Sequence, residues 1–320
     1  MWDFRFGTAI AMMLRTLPFV LLRLVVFAVI GVAYLFAMGT GAAVGYGMAR
    51  VFAGGGEGGA FLGGALGFGI VSVALYLARE YLLYLVKAAH IAVLVELYDG
   101  HDIPAGQNQI AFGSGFVKTH FTESSVLFGV DQLIKAILRT VFGSVNFIAS
   151  FLPVPGLQGL LNLAEKVVRL SLTYVDEIIL AYLIRTRTTN PWATAQEGLI
   201  LYAQNYKHFL KNALWLAVFL WLLTAAIFVV LLAPAAALAA LIPGDLSLFG
   251  FAVALILALS LKAALLEPIA IAALMEVYFK TIAGQTPDPE WSARLNELSG
   301  KFRDLGAKAA RWTRPAEVRV

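Results

Sequence analysis

Three long apolar runs constrain this chain more than anything else in it: Leu17–Met38, Ala213–Leu241 and Leu246–Leu266, whose only charges are Arg23 and Lys262. Each is long enough to cross about 30 Å of hydrocarbon as a helix rising ~1.5 Å per residue. Residues within the runs do not alternate between polar and apolar, so they do not suit a β-barrel. With 60% hydrophobic and only 14% charged residues, the 320-residue chain reads as an all-α integral membrane protein.

The first run carries Arg23 and is too long for a cleaved export signal, so it is expected to be retained as a helix. The chain has no cysteine, which excludes disulfides, thiolate catalysis and cysteine-ligated metals. A formal charge of +4, concentrated toward the C-terminal end, suits anionic lipid at the cytoplasmic face and gives no reason to invoke nucleic acid.

The first helix is expected from about Thr16 to Met38, followed by a glycine-rich stretch from Gly39 to Gly59 that carries Arg50 and reads as an outer loop. Gly41 and Gly45, and then Gly59, Gly63 and Gly67, recur every four residues, a spacing that lets membrane helices approach closely; a turn-rich connection is the plainer alternative. A second helix from Ala60 to Tyr98 would be about 58 Å long, roughly twice the hydrocarbon thickness. Its charges begin only at Arg79, so a membrane half and an interfacial or cytoplasmic half are expected.

A third helix is expected from Asp131 to Ser150, a turn at the FLPVPG motif of 151–156, and a fourth helix from Leu157 to Ile184. Asn162, Glu165, Lys166, Arg169, Asp176 and Glu177 give the fourth too many polar groups to face lipid all round. Asn190 or Thr189 is placed to cap a helix starting at Pro191, where the missing amide hydrogen is harmless, and the segment to Lys211 is amphipathic. The fifth helix, Ala213 to Leu241, contains Pro234, and the sixth runs from Leu246 through Lys262 and Glu267 to Phe279. A basic amphipathic tail follows.

These six helices group into three hairpins, each with a polar residue near the end of its second helix: His90, Glu177 and Glu267. His90 and Glu177 each precede a proline by fourteen residues, Pro104 and Pro191, whereas the third copy is looser. The resulting division is 1–125 for the first hairpin and its linker, 126–211 for the second, 212–284 for the third and 285–320 for the tail. Basic flanks at Arg5, Arg15, Arg185, Arg187, Lys207, Lys211 and throughout the tail place both termini in the cytoplasm.

No signature of a soluble enzyme is present, and a lipid-modifying activity built from scattered polar residues at the membrane face stays open as an alternative. The histidines at 90, 101, 120 and 208 are dispersed, the glycines at 63, 64 and 67 lack a phosphate-loop lysine, and no cofactor is implied. Charge at membrane depth is costly unless it faces water, a partner or a conduction path. His90, Asp176, Glu177 and Glu267 are therefore the candidate pore or coupling residues, and Gly59, Gly63 and Gly67 the candidate helix-packing glycines. The plainer reading leaves these polar groups capping or pairing helices in the headgroup region. Lys262 and Glu267, five apart, are expected on different helix faces.

The expected function is membrane transport, as a homo-oligomeric ion channel or pore with a polar cytoplasmic vestibule, acting on an ion or small solute. A secondary transporter and a non-transporting membrane scaffold whose tail binds a partner are the alternatives.

Overall fold

The structure is a computed structural model and describes residues 2–52, 56–103, 108–120, 124–142, 172–187, 189–239 and 247–313. The described residues form twelve α-helices: α1 Phe6–Arg15, α2 Leu17–Phe52, α3 Glu57–Tyr98, α4 Gln109–His120, α5 Ser124–Val141, α6 Val175–Thr186, α7 Pro191–Gln204, α8 Tyr206–Ala239, α9 Ser247–Leu261, α10 Glu267–Ile282, α11 Pro289–Leu298 and α12 Gly300–Arg311. A 3₁₀ turn, Leu172–Tyr174, precedes α6, and a π-helical turn, Lys262–Leu266, joins α9 to α10. Three stretches are long and apolar enough to cross a membrane: Leu17–Phe52, Tyr206–Ala237 and Gly250–Ile282.

The chain divides into two compact units; α2, α3 and α8 contribute to both, and α10 gives Glu267 to one and the rest to the other. Unit 2 comprises Val20–Tyr84 and Trp221–Glu267. It contains two helical hairpins, α2 with α3 and α8 with α9. Most of the large apolar side chains exposed among the described residues lie here, including Val29, Val32, Phe36, Phe61, Leu66, Leu222 and Val230. A helix that keeps Val and Phe on its outside is suited to lipid rather than water.

Glycine makes the first hairpin possible. A Cβ added at Gly41 would collide with the backbone carbonyl of Gly63 and one at Gly63 with that of Gly41; Gly45 and Gly59 oppose each other in the same way, and Gly67 meets the carbonyl of Ala37. Bare backbones thus touch along several turns, which gives the dispersion contacts that replace hydrophobic driving force between helices in lipid. This contact explains a departure from the sequence reading. The stretch from Gly39, with Arg50, belongs to α2 as far as Phe52 instead of forming an outer loop. The entropy cost of helical glycine is offset by the close approach it permits. The second hairpin packs on α2 through Gly31, which faces Ser260 and Ile256, and through a cluster of Ala235, Val253 and Ala254 with Leu35, Phe228 and Leu257 around it.

Unit 1 comprises Met1–Phe19, Leu85–Leu220 and Pro268–Val320. Its core takes the second part of α3, where Ala88 to Val95 are buried without interruption, together with α6, α7 and α10. Every residue of α6 from Val175 to Ile184 is buried, so a helix that is apolar nearly all round sits at the centre, as its composition requires. Asn190 caps α7 by accepting from the Ala193 amide, with Pro191 at the first helical position. The cap suggested by the sequence therefore forms, and α7 is packed into the core of unit 1. Gly198 lies against the Tyr182 ring, and the Tyr278 hydroxyl donates to its carbonyl at 2.9 Å.

The tail folds back as α11 and α12. Leu295, Phe302 and Leu305 are fully buried, and α12 packs on α7 and α5, with Asn190 donating to the Ala309 carbonyl and the Trp312 indole to that of Thr189. The second hairpin of the sequence reading has its turn and most of its fourth helix at 143–171, outside the described residues. The described segments on either side, α5 and α6, belong to unit 1.

Candidate functional site

Two ionic clusters, one in each unit, hold the candidate carboxylates. In unit 2, α9 arrives at Lys262 as a regular helix, and Pro268 then removes the amide hydrogen that would bond to the carbonyl of residue 264. The ladder widens by one residue across Lys262–Leu266, and the Glu267 amide donates to the Lys262 carbonyl, five residues back. That widening brings positions five apart onto one face. The Lys262 ammonium lies 3.2 Å from Glu267 Oε1, so the expectation that these two side chains point apart is corrected by the π turn.

Glu267 Oε2 also accepts from the Arg23 guanidinium of α2, at 3.2 Å. Arg23 is only 2% exposed, the largest side chain to be so deeply buried among the described residues, and Lys262 is also buried. The Lys262 ammonium lies 5.4 Å from the centre of the Trp221 ring, close enough for cation–π attraction. Arg23 belongs to one membrane-crossing candidate and Lys262 and Glu267 to another. A carboxylate shared by two cations from different helices, at a break in one of them, can change partners when either helix moves.

In unit 1, α3 contributes Lys87, α5 contributes Asp131 and Lys135, and α6 opens with Asp176 and Glu177. Lys87 pairs with Glu177; Lys135 lies 2.6 Å from Asp131, one turn away, and 3.5 Å from Asp176. All three carboxylates are buried. Burial, reinforced by the neighbouring negative charges of Glu177 and Asp131, pushes the Asp176 carboxyl well above the usual carboxylate range. Burial acts on Glu177 in the same direction, yet the Lys87 ammonium and a hydrogen bond from Asp176 hold it below that range. A hydrogen bond joins the two carboxyl groups, whose titrations are driven in opposite directions. Asp131 is also raised, chiefly by burial. Burial pulls Lys135 downward, but the Asp176 and Asp131 carboxyl groups hold it above its ordinary value.

His90 is brought to neither cluster's carboxylates. It is buried in unit 1, its ring stacked on Phe19 at 5.0 Å, with Nε2 3.0 Å from the Thr16 hydroxyl. The same hydroxyl donates to the Met12 carbonyl at 3.0 Å. His90 thus ties α3 to the joint between α1 and α2.

The candidate residues consequently separate. Asp176 and Glu177 share one cluster, Glu267 sits in the other unit, and His90 stands at a helix joint. Gly59, Gly63 and Gly67 make an intrachain contact and leave no glycine face of their own for a second copy. The sequence reading missed Arg23 and Asp131 as members of these clusters. For Asp131 the signal was its four-residue spacing from Lys135; for Arg23 it was the presence of a cation in an otherwise apolar run. Among the described residues, no group of His, Asp and Glu is arranged to hold a metal ion. No protein-family model, curated protein or solved structure matches the chain.

Proposed function

We propose that this is an integral membrane transport protein in which the Arg23–Glu267–Lys262 ion triad couples solute movement to rearrangement of the helix that breaks at the π turn. The triad's position carries the proposal. Intramembrane charges persist where they serve a pathway, and interrupted helices are where transporters place their binding and coupling groups. Unit 2 holds the apolar parts of the three membrane-crossing candidates, and the first part of α3, packed on α2 through its glycines, is taken as a fourth crossing. The basic flanks put both termini in the cytoplasm.

The homo-oligomeric channel with a charged vestibule gains less support. Asp176 and Glu177, its candidate lining, are buried and compensated by Lys87 and Lys135 instead of facing open space. The scaffold reading is weakened because the tail's apolar face is occupied by α7 and α5.

Proteoliposomes loaded with potassium chloride provide the test, with potassium, chloride and proton movement followed separately. Flux that exceeds protein-free vesicles and falls at least tenfold on Lys262→Gln supports the triad as the coupling group. Unchanged flux in a folded Lys262→Gln protein assigns transport elsewhere, and no flux of any probe ion in the wild type removes ion transport. Stepwise single-protein currents would restore the channel reading.

A further inference from the structure

Unit 1 keeps its large apolar side chains inside with one local exception. Among the described residues, its exposed ones gather on the N-terminal arm, α1, the start of α2 and the first turns of α8; Leu298 on α11 stands apart. Helix α1 shows the pattern most sharply. Its inner face buries Ala9 and Met12, while Ile10 and Leu14 are exposed on the other, and Leu17 continues that face at the start of α2.

The aromatic contacts fix where α1 lies along α8. Trp2 stands edge-on to Trp215 at 6.0 Å, and Phe6 to Phe219 at 4.8 Å. Just before these positions α8 is polar: Lys211 pairs with Asp3 at 2.6 Å, and the Asp3 amide donates to the Asn212 side chain at 2.7 Å. Helix α1 is therefore held where a membrane-crossing candidate changes from polar to apolar, the level at which tryptophan collects in bilayers.

We infer that α1 is an interfacial helix, immersed by Ile10, Leu14 and Leu17 at the boundary between headgroups and acyl chains. The inference rests on the membrane reading of α2 and α8. Its partner is the bilayer itself, and its attachment is apolar. The two cations that bracket the helix already face carboxylates, Arg5 at 2.8 Å from Glu276 and Arg15 at 3.4 Å from Asp102, so binding does not depend on anionic lipid. An amphipathic helix docked on its own protein by one face and on lipid by the other fixes the depth at which α2 enters the membrane.

The absence of native cysteine makes the test direct. Single variants Ile10→Cys, Leu14→Cys and Val229→Cys, the last on the exposed face of α8 in unit 2, are spin-labelled and reconstituted in phosphatidylcholine vesicles with and without phosphatidylglycerol. The nitroxides at 10 and 14 are expected to show oxygen accessibility between that of Val229→Cys and that of a water-exposed label, unchanged by phosphatidylglycerol. Water-like values at 10 and 14 beside an oxygen-rich Val229→Cys overturn the inference and leave the membrane reading intact; water-like values at all three overturn both. Entry of the labels only with phosphatidylglycerol, or spin–spin broadening that shows a second copy covering α1, also overturns it.

Discussion

Lys262 and Glu267 are five residues apart and meet at 3.2 Å, a contact that a regular α-helix does not make and a π turn does. Pro268 is the cause, since it supplies no amide hydrogen to close the normal ladder. Pro268→Ala is expected to restore the regular helix, raise stability toward unfolding by about 1–3 kcal/mol, and separate the two side chains. Reversible unfolding in mixed micelles measures the first effect. The second appears as loss of transport in a more stable protein, a combination that simple misfolding does not produce.

The buried Arg23 pairs with the half-buried Glu267, and breaking such a pair from one side costs more than replacing both partners. Arg23→Leu or Glu267→Leu alone is expected to destabilise by about 3 kcal/mol or more, and the double variant by clearly less than the sum. A double-mutant cycle on unfolding free energies checks this. Additive single effects would mean that the two side chains do not interact.

The glycines of α2 and α3 differ in what surrounds them. Gly63→Ala drives a methyl group into the Gly41 carbonyl, whereas Gly47 has nothing within 4 Å. Gly63→Ala is expected to cost about 1–3 kcal/mol through forced separation of the helices. Gly47→Ala is expected to stabilise by roughly 0.5–1 kcal/mol through the lower entropy of the unfolded chain. Equal effects at the two positions would contradict the packing.

Asp176 gives unit 1 a pH dependence with a definite sign. Its folded carboxyl titrates well above its unfolded one, so between the two values the folded state holds a proton that the unfolded state has released. Stability therefore falls as pH rises through that window, and the full penalty is present above the folded value. Asp176→Asn, which keeps a neutral hydrogen-bonding group, is expected to flatten this slope and to be at least as stable as wild type at neutral pH. Thermal unfolding followed against pH checks both parts.

The tail is structural. Phe302 is fully buried, so Phe302→Ala is expected to cost about 3–5 kcal/mol, and removing 289–320 to unfold unit 1 rather than only release a partner. Hydrogen exchange across α7 in the truncated chain distinguishes these outcomes.

Composition and run length made the long apolar helices legible, and four-residue spacing marked the glycines that meet across α2 and α3. The Asn190 cap and Pro191 start of α7 could be read locally because both signals act within one turn. Other features depend on contacts between distant segments. The burial of Arg23 depends on Glu267, more than two hundred residues away, and the pairing of Lys87 with Glu177 spans ninety. The π turn was hidden for a different reason: Pro268 signals that a helical bond is lost, but not whether the helix kinks, ends or widens. Similar polar positions in three hairpins suggested a common role, yet His90, Glu177 and Glu267 have different partners because each sits in a different tertiary environment.

The most direct measurement is ion flux in proteoliposomes for wild type, Glu267→Gln and the charge-swapped pair Arg23→Glu with Glu267→Arg. Loss of at least tenfold in Glu267→Gln with substantial recovery in the swap is the expected result. Wild-type flux in a folded Glu267→Gln protein would contradict a coupling role for the triad.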